Sequence, residues 1–408
     1  MLRKIILLVL VAIIGSSCRT LAAGYRIPEQ SLNSTALSSA YVANATAPDM
    51  AYYNPANMAW AQGGWDTEYS LSLINLPSIK YTDSRGAALN GGTEEEYFTL
   101  PAFFAVSPEF NNFRFGFAMV SPAGLTKRWE DPYPGSFAEE TAMMVVEANP
   151  SFSYRISDVL AIGLGVRFIY SDATMISNGV IAGFNMTRDM EGDTVEFGYN
   201  LALTLKPAKA LTLAATYRSE IDLEMEGDAV LTSNTGSYIG PGSVSIPIPA
   251  VLTLAAAYSF EKTSLELVYE RSYWSAYKQL NFEYPVPLGD ALLTLFFDDP
   301  TARNWDDVNA YKLGLTYFWN KQLRFMAGGG LYGNPVPDST ISFDLPDSDS
   351  WFASLGFRYQ HNKKMSYGAA CLHAEKEDRT AVDAAGVING RFSGAASNLL
   401  AFSISYLF

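Results

Sequence analysis

Apolar and polar residues alternate with a period of two over much of the chain. Near the C-terminus, Phe402, Ile404 and Tyr406 fall on one face of an extended segment. Ser403 and Ser405 fall on the opposite face. An apolar face opposite a face of small and polar residues is typical of the strands of transmembrane β-barrels.

The same pattern recurs from residue 64 to the C-terminus. We count fourteen such segments, at 64–74, 97–107, 112–121, 142–154, 159–170, 195–206, 211–219, 251–260, 263–273, 309–318, 322–332, 351–360, 365–373 and 399–408. Short turns alternate with long polar loops at 75–96, 122–141, 171–194, 220–250, 274–308, 333–350 and 374–398. This rhythm predicts an all-β membrane protein, a 14-stranded antiparallel transmembrane β-barrel with its long loops outside the cell.

Composition favours this barrel over a soluble β-sandwich, which would also show alternation. Aromatic residues make up 13% of the chain and charged residues only 17%, below the roughly 25% charged that is usual in soluble proteins. No internal stretch reaches the roughly 18 apolar residues of a transmembrane helix. Aromatic residues near segment ends are expected in interfacial girdles. They are Trp65, Tyr170, Trp274, Trp319 and Trp351.

Residues 1–23 have the features of a secretory signal peptide, with Arg3 and Lys4 before a continuous apolar run. We expect cleavage after Ala23, and lipoprotein processing at Cys18 is the alternative. Without these residues the chain has 25 Lys and Arg against 42 Asp and Glu, a net charge of −17. That charge argues against nucleic acid as a partner. Cys371 is then the one remaining cysteine, so no disulfide within the chain is expected.

Residues 24–63 precede the first predicted strand and lack strand alternation. They are rich in Ala, Ser, Asn and Tyr and carry few charges, whereas a disordered tail would usually be more charged and less aromatic. Within them, Asn54-Pro55-Ala56 marks a turn between apolar side chains. We therefore expect residues 24–63 to form a hatch domain that fills the lumen of the barrel, residues 64–408.

The N-terminal pattern "GYRIPEQSLNSTALSSAYVANATAPDMAYYNPANM" resembles the FadL-type outer-membrane transporters of long-chain fatty acids and other hydrophobic compounds. Similar segments follow at 216–227, 269–280, 306–317 and 333–359. The resemblance implies a fourteen-stranded barrel with an N-terminal hatch in the bacterial outer membrane. It further implies passive uptake, with capture of the substrate outside, a pocket beside the hatch, and lateral release through a kink in the third strand.

The third predicted strand runs directly into Pro122, Ala123 and Gly124. Proline lacks the N–H that a ladder needs, and glycine weakens a strand, so this stretch is suited to the kink that the resemblance implies. The alternative is that these residues simply begin an extracellular loop. We expect Asn54, Pro55 and Ala56 to act as the hatch side of this gate and to lie against the break at Pro122.

The resemblance also implies substrate-binding roles for Tyr25 and Arg303. Tyr25 is similar to a family aromatic that reaches into the pocket, although a terminal aromatic is equally expected to fray. Arg303 is positioned for a bidentate contact with a carboxylate. The alternative is a solvated arginine neutralised by a nearby carboxylate of Asp298, Asp299, Asp306 or Asp307. Ser177 stands near a second basic position of the family, which favours uncharged substrates such as aromatic or alkane hydrocarbons as the alternative to fatty acids.

Other functional classes fit the sequence less well. His361 and His373 lie in no recognisable Ser/His/Asp setting, so we expect no enzyme and no catalytic residues. No His/Cys cluster suggests a metal site, and no cofactor is expected. A general porin is the main rival, but an apolar plug would block its lumen. We expect a monomer whose partners are a hydrophobic small molecule, outer-membrane lipid and lipopolysaccharide.

Overall fold

Fourteen antiparallel strands, each paired with the next, form a closed barrel in the computed structural model, which describes residues 24–181 and 183–408. The first strand pairs with the last, from Asp66↔Leu407 to Asn75↔Asn398, and this pairing closes the barrel. The predicted fold class and strand number are therefore confirmed. The predicted signal peptide, residues 1–23, lies outside the described residues.

The barrel strands are numbered β1 to β14 in chain order, and β3 consists of two parts. They are β1 Asp66–Leu76, β2 Glu96–Val106, β3 Phe113–Val120 with Gly124–Arg128, β4 Glu140–Arg155, β5 Leu160–Ile181, β6 Phe184–Ala208 and β7 Leu211–Arg218. They continue as β8 Val251–Ser259, β9 Thr263–Ser272, β10 Val308–Phe318, β11 Leu323–Tyr332, β12 Ser350–Gln360, β13 Met365–Lys376 and β14 Ala396–Leu407.

The apolar faces of the strands point away from the lumen. Phe402 is 48% exposed and Ile404 is 43% exposed, whereas the alternating Ser403 and Ser405 are buried inside the barrel. This arrangement is the inverse of a soluble protein, and a lipid environment stabilises it because lipid covers the apolar band. Among the described residues, no helix has the length and apolar character needed to span a bilayer.

Two predicted loops, 171–194 and 220–250, are mostly strand. β5 and β6 continue past the barrel as one long hairpin. A second hairpin, Ile221–Thr232 with Ser237–Ile248, pairs with the outer part of β6. The prediction of long polar loops here was wrong, because a sheet outside the membrane can carry charges on its exposed face.

The remaining loops contain short elements. The strands are Lys80–Asp83, Gly91–Gly92, Gln279–Leu280, Phe282–Glu283, Thr301–Ala302, Arg379–Val382 and Asn389–Ser393. The helices are the 3₁₀ turns Ala87–Leu89, Trp274–Ala276 and Asp338–Thr340, the α-helices Pro132–Ala138 and Ala291–Leu293, and the π-helical turn Thr294–Asp298.

The segment before β1 folds inside the barrel as short helices. They are α1 Leu32–Ala36, α2 Met50–Tyr53 and the 3₁₀ turn Pro55–Trp60. The buried Asp49 carboxylate accepts hydrogen bonds from Ser31 Oγ at 2.6 Å and Tyr41 Oη at 3.0 Å, which join the helices. Asn54 Nδ2 donates to Thr204 Oγ1 of β6 at 2.8 Å and so fixes this segment to the wall.

Glycines on the inner wall make room for this segment. A Cβ at Gly328 of β11 would lie 2.2 Å from the carbonyl carbon of Leu37, and one at Gly163 of β5 would lie 2.4 Å from the Ala56 nitrogen. Backbone therefore packs directly on backbone at these positions, and no larger residue fits without movement.

We predict that Gly328→Ala loosens the N-terminal domain, whereas Gly329→Ala does not. The neighbouring Gly329 points to the other face, and its nearest contact would be the Phe352 carbonyl oxygen at 3.3 Å. Overpacking of this kind costs roughly 1–3 kcal/mol. The measurement is limited proteolysis of residues 24–63 in purified protein. Equal protection of both variants would contradict the close packing.

Candidate functional site

The third strand is interrupted where the sequence predicts a break. β3 ends at Val120, which pairs with Glu147 of β4, and resumes at Gly124, which pairs with Met144. The resumed part runs to Arg128 against β4. The alternative that Pro122 begins a simple loop is therefore wrong, because the chain returns to the wall after three residues.

The interruption leaves an opening between β2 and β3, called the window below. β2 and β3 pair only from Phe103↔Met119 to Val106↔Gly116. Positions 96–102 of β2 pair with β1 but, in the described part of the chain, with no part of β3. Above the opening, the Thr93–Trp129 bridge reconnects the two sides. The window is thus a gap in the wall that is closed above and below.

A cavity of about 600 Å³, the window cavity, extends through this gap. Phe98 and Leu100 line it from the inner face of β2. Tyr97 and Met144, which are 70% and 51% exposed on the outer face, line it as well. Because side chains of both faces line one cavity, the cavity connects the lumen with the lipid side of the barrel.

The N-terminal residues occupy the lumen side of the break. Ile27 N donates to the Pro122 carbonyl oxygen at 2.9 Å, and Gly124 N donates to the Tyr25 carbonyl oxygen at 3.0 Å. Between these bonds, Arg26 forms an antiparallel bridge with Ala123. Residues 25–27 thus satisfy backbone groups of Pro122 and Gly124 that the break leaves free, and the Gln30 side chain satisfies those of Ser121.

Side chains across the lumen hold this N-terminal segment. Arg26 Nη1 lies 2.7 Å from Glu270 Oε1 of β9 and 2.6 Å from Ser272 Oγ. Lys312 of β10 contacts the other Glu270 oxygen at 3.0 Å. Glu270 and Lys312 are buried and the Arg26 side chain is only 12% exposed, so each charge depends on the others.

The Asn54-Pro55-Ala56 turn lies elsewhere, against the periplasmic part of β5. Its backbone packs on Gly163, which pairs with Ser153 of β4. Gly124 of the break pairs with Met144. Nine residues of β4 separate these positions, roughly 30 Å at ~3.3 Å per residue. The prediction that the turn faces the break was wrong, because the extended residues 25–27 supply the free backbone groups that pairing needs.

A second, smaller cavity of about 80 Å³, the outer cavity, lies beneath the extracellular loops. Tyr25 and Met143 line both this cavity and the window cavity. The Tyr25 ring packs edge-on against Trp274 at 4.7 Å and tilted against Trp305 at 5.8 Å between centroids. Tyr25 is therefore buried between the two cavities, and its substrate-binding role stays a prediction.

Trp274 corrects one part of the aromatic-girdle prediction. It is fully buried against Tyr25, whereas Trp65, Trp319 and Trp351 are exposed as expected. Its position just after a strand end resembles that of a girdle residue. The chain that follows the Trp274–Ala276 turn is, however, buried at Tyr277, which lines the outer cavity.

Arg303 is buried rather than solvated, and its partner is not one of the four carboxylates of its own loop. Its Nη2 lies 2.8 Å from Asp344 Oδ2, and its guanidinium lies 5.8 Å from the Tyr277 ring centroid. Burial raises the pKa of the Asp344 carboxyl, but the Arg303 charge and the hydrogen bonds with Ser342 and Arg303 together lower that pKa by more, so it lies below its ordinary value. A ligand carboxylate at Arg303 would have to displace a stable ion pair.

Ser177 is buried on β5 and faces a basic residue that the sequence did not single out. It pairs across the long hairpin with Arg188 of β6. The Arg188 guanidinium lies 5.6 Å from the Phe282 ring centroid and 5.7 Å from that of Phe297. The sequence could have indicated Arg188, because residues two apart on a strand share a face and Arg188 lies two positions before the apolar Met190 of β6.

The two histidines lie apart, as the strand order implies. His373, on β13, contacts Asn398 at 2.8 Å, and His361 lies in the turn before β13. Within residues 24–181 and 183–408, no group of three or more potential metal ligands is present.

Comparison with known proteins places these features in a family. The family model described as "Outer membrane protein transport protein (OMPP1/FadL/TodX)" matches residues 13–408. The "Long-chain fatty acid transport protein" of Escherichia coli O6:H1 is 24% identical, and the match covers 95% of each chain. The "Outer membrane protein P1" of Haemophilus influenzae is also 24% identical, with 87% of each chain covered.

Solved structures show the same fold. A Pseudomonas aeruginosa FadL homologue superposes with a TM-score of 0.81 at 21% identity, covering 95% of this chain and 100% of that one. The P. putida toluene transporter TodX superposes with a TM-score of 0.69 at 19% identity, covering 91% and 98%. With its hatch-bearing barrel and a family match over almost its whole length, this chain belongs to the FadL/TodX family of outer-membrane transporters of hydrophobic compounds.

Proposed function

We propose that this protein mediates passive uptake of long-chain fatty acids and releases them sideways into the outer membrane through the window. The observation that carries this proposal is the window cavity, lined by residues of both faces of the wall, such as Leu100 and Met144. Lipopolysaccharide resists apolar solutes, but the membrane interior accepts them. The barrel therefore needs only to shield the molecule through the outer leaflet.

The residues shared by the two cavities support a route between them. Tyr25, Leu125 and Met143 line both of them, so a molecule captured in the outer cavity reaches the window by moving past the Tyr25 ring. Displacement of Tyr25 would pull residues 25–27 away from Pro122, Ala123 and Gly124. In this mechanism the gate is formed by residues 25–27 together with Pro122, Ala123 and Gly124. Asn54, Pro55 and Ala56 are the fixed anchor of the hatch on the wall.

Removal of the predicted signal peptide is consistent with this gating mechanism. Gly24 N donates to the buried Asp347 Oδ2 at 3.0 Å. Cleavage after Ala23 would make this nitrogen an α-ammonium group and the hydrogen bond an ion pair, which is stronger. We propose that the mature N-terminus is anchored this way, and that the monomer contacts lipid and lipopolysaccharide.

Hydrocarbon uptake is the second candidate, and the Arg303–Asp344 pair favours it. Because Asp344 neutralises Arg303, this arginine has no free charge for a headgroup. Small uncharged compounds would need none. The names of the relatives span both classes, a long-chain fatty acid transport protein and a toluene transporter.

Uptake in whole cells tests the proposal. A strain that lacks its own transporter of hydrophobic compounds and expresses this chain is expected to take up labelled oleate well above empty-vector cells. Labelled toluene is measured in parallel. Oleate uptake without toluene uptake would support the fatty-acid proposal, and the reverse would support the hydrocarbon candidate. Uptake of neither would contradict both.

Conductance separates this proposal from a general porin. Because residues 24–63 fill the lumen, the purified protein in planar bilayers is expected to conduct small ions poorly. A porin-like single-channel conductance would contradict a transport route that depends on the hatch.

A further inference from the structure

One cation of the window cavity is left without a partner. Lys127 lies on the second part of β3 and lines the cavity. The two carboxylates near it already hold other cations, Glu96 with Arg128 at 2.7 Å and Asp347 with Lys376. Within the described residues, Lys127 forms no hydrogen bond or ion pair. Its three N–H donors are therefore free for a ligand.

The window cavity has a charge polarity along the strands. Lys127 pairs with Thr141 of β4, and the Asp172 that also lines the cavity is in register with Met144. Three residues of β4, roughly 10 Å, separate the two levels, with Lys127 nearer the extracellular rim. Asp172 has one buried oxygen without a hydrogen-bond partner. The cavity thus has an unpaired cation near its extracellular end, and the Asp172 carboxylate lies nearer the periplasm on the lipid-facing side, beside Met144.

The other charged groups that line the cavity are satisfied. Arg26 is paired with Glu270, and Lys376 with Asp347. Glu29, on the hatch side, accepts a hydrogen bond from Ser39 Oγ at 2.7 Å. Burial raises the pKa of the Glu29 carboxyl, which favours its neutral form. A negatively charged ligand group in this cavity can therefore bind at Lys127 without breaking an existing ion pair.

We infer that Lys127 is a specificity-determining residue that binds the carboxylate head of an anionic amphiphile at the outer edge of the window. The inference rests on the proposed release through the window and adds a headgroup position to it. An amphiphile held there has its head level with the rim, while its tail lies along Phe98 and Leu100 toward the gap. It then enters the outer leaflet in the orientation of a lipid. A neutral hydrocarbon passes without using Lys127.

The test compares two probes with the same tail, oleate and methyl oleate, in the whole-cell uptake assay. Lys127→Met is expected to raise the half-saturating oleate concentration roughly tenfold, as for loss of one charge-assisted hydrogen bond. Uptake of methyl oleate is expected to stay unchanged. Lys127→Arg keeps the charge and is expected to resemble the wild type. Lys209→Met, in an exposed periplasmic turn, is the matched control. Heat-modifiable migration on gels verifies barrel assembly.

Each outcome decides the inference. Selective loss of oleate uptake in Lys127→Met, with rescue in Lys127→Arg, supports it. Equal loss of both probes would show a merely structural role and overturn it, as would unchanged uptake of both. Uptake of neither probe by the wild type would overturn the proposed function itself, and the inference with it.

Discussion

A disulfide between positions 26 and 123 is expected to abolish oleate uptake until it is reduced. The variant is Arg26→Cys with Ala123→Cys, in a Cys371→Ala background that removes the other cysteine of the described chain. The bond would fix the N-terminal segment in the break, so that displacement of Tyr25 no longer opens the gate. Uptake is measured in oxidised cells and again after dithiothreitol treatment.

The backbone geometry suits this bond. Arg26 and Ala123 form an antiparallel bridge, flanked by the hydrogen bonds of Ile27 with Pro122 and of Gly124 with Tyr25. They are therefore a non-hydrogen-bonded pair, whose Cα atoms usually lie about 4.5 Å apart. That separation falls within the roughly 4.4–6.8 Å range of natural disulfides.

The reduced double variant is its own control, because it already lacks the Arg26–Glu270 ion pair. Arg26→Cys alone shows whether oxidation affects uptake by another route. If the oxidised double variant transports as well as the reduced one, residues 25–27 are a static part of the wall and the gate proposal fails.

The barrel was predictable because lipid imposes the same requirement on every strand. Each membrane-facing position must be apolar, so alternation such as that of Phe402 and Ile404 is a local signal that needs no knowledge of neighbours. The break at Pro122 was predictable for a similar reason, since the missing N–H is a property of the residue itself.

The sheet above the membrane was missed although its alternation is visible. Leu223 and Met225 are buried, and Glu224 and Glu226 alternate with them on the exposed face. If every strand is assumed to face lipid, the charges of Glu224 and Glu226 indicate a loop rather than a strand. Outside the bilayer, however, water solvates that face, so period-two alternation alone is the better criterion there.

The contacts of the site depend on distant pairings and were not predictable. Arg303 and Asp344 are 41 positions apart, and nothing local in either loop indicates the other. The importance of Lys127 follows from the fact that Glu96 and Asp347 already have partners, which only the assembled barrel shows. The pairing of residues 25–27 with the break likewise depends on where the hatch directs its N-terminus.

Removal of the Glu270 carboxylate is expected to detach the N-terminal segment and destabilise the protein. Glu270→Ala leaves the buried Lys312 and the largely buried Arg26 without their shared counter-ion. Breaking a buried ion pair from one side costs about 3–5 kcal/mol. The loss is measured as the free energy of unfolding in detergent, and detachment as faster proteolysis of residues 24–63.

A triple variant separates lost charge balance from lost volume. Arg26→Met with Glu270→Met and Lys312→Met replaces the network by apolar side chains, which is often neutral for stability when the packing is kept. It is expected to recover most of the unfolding free energy that Glu270→Ala loses. Glu261→Ala, in an exposed periplasmic turn, should change neither measurement. If Glu270→Ala unfolds like the wild type and keeps the hatch protected, the ion network does not hold the gate, and the other contacts of the segment, such as its backbone pairing with Pro122 and Gly124, are sufficient.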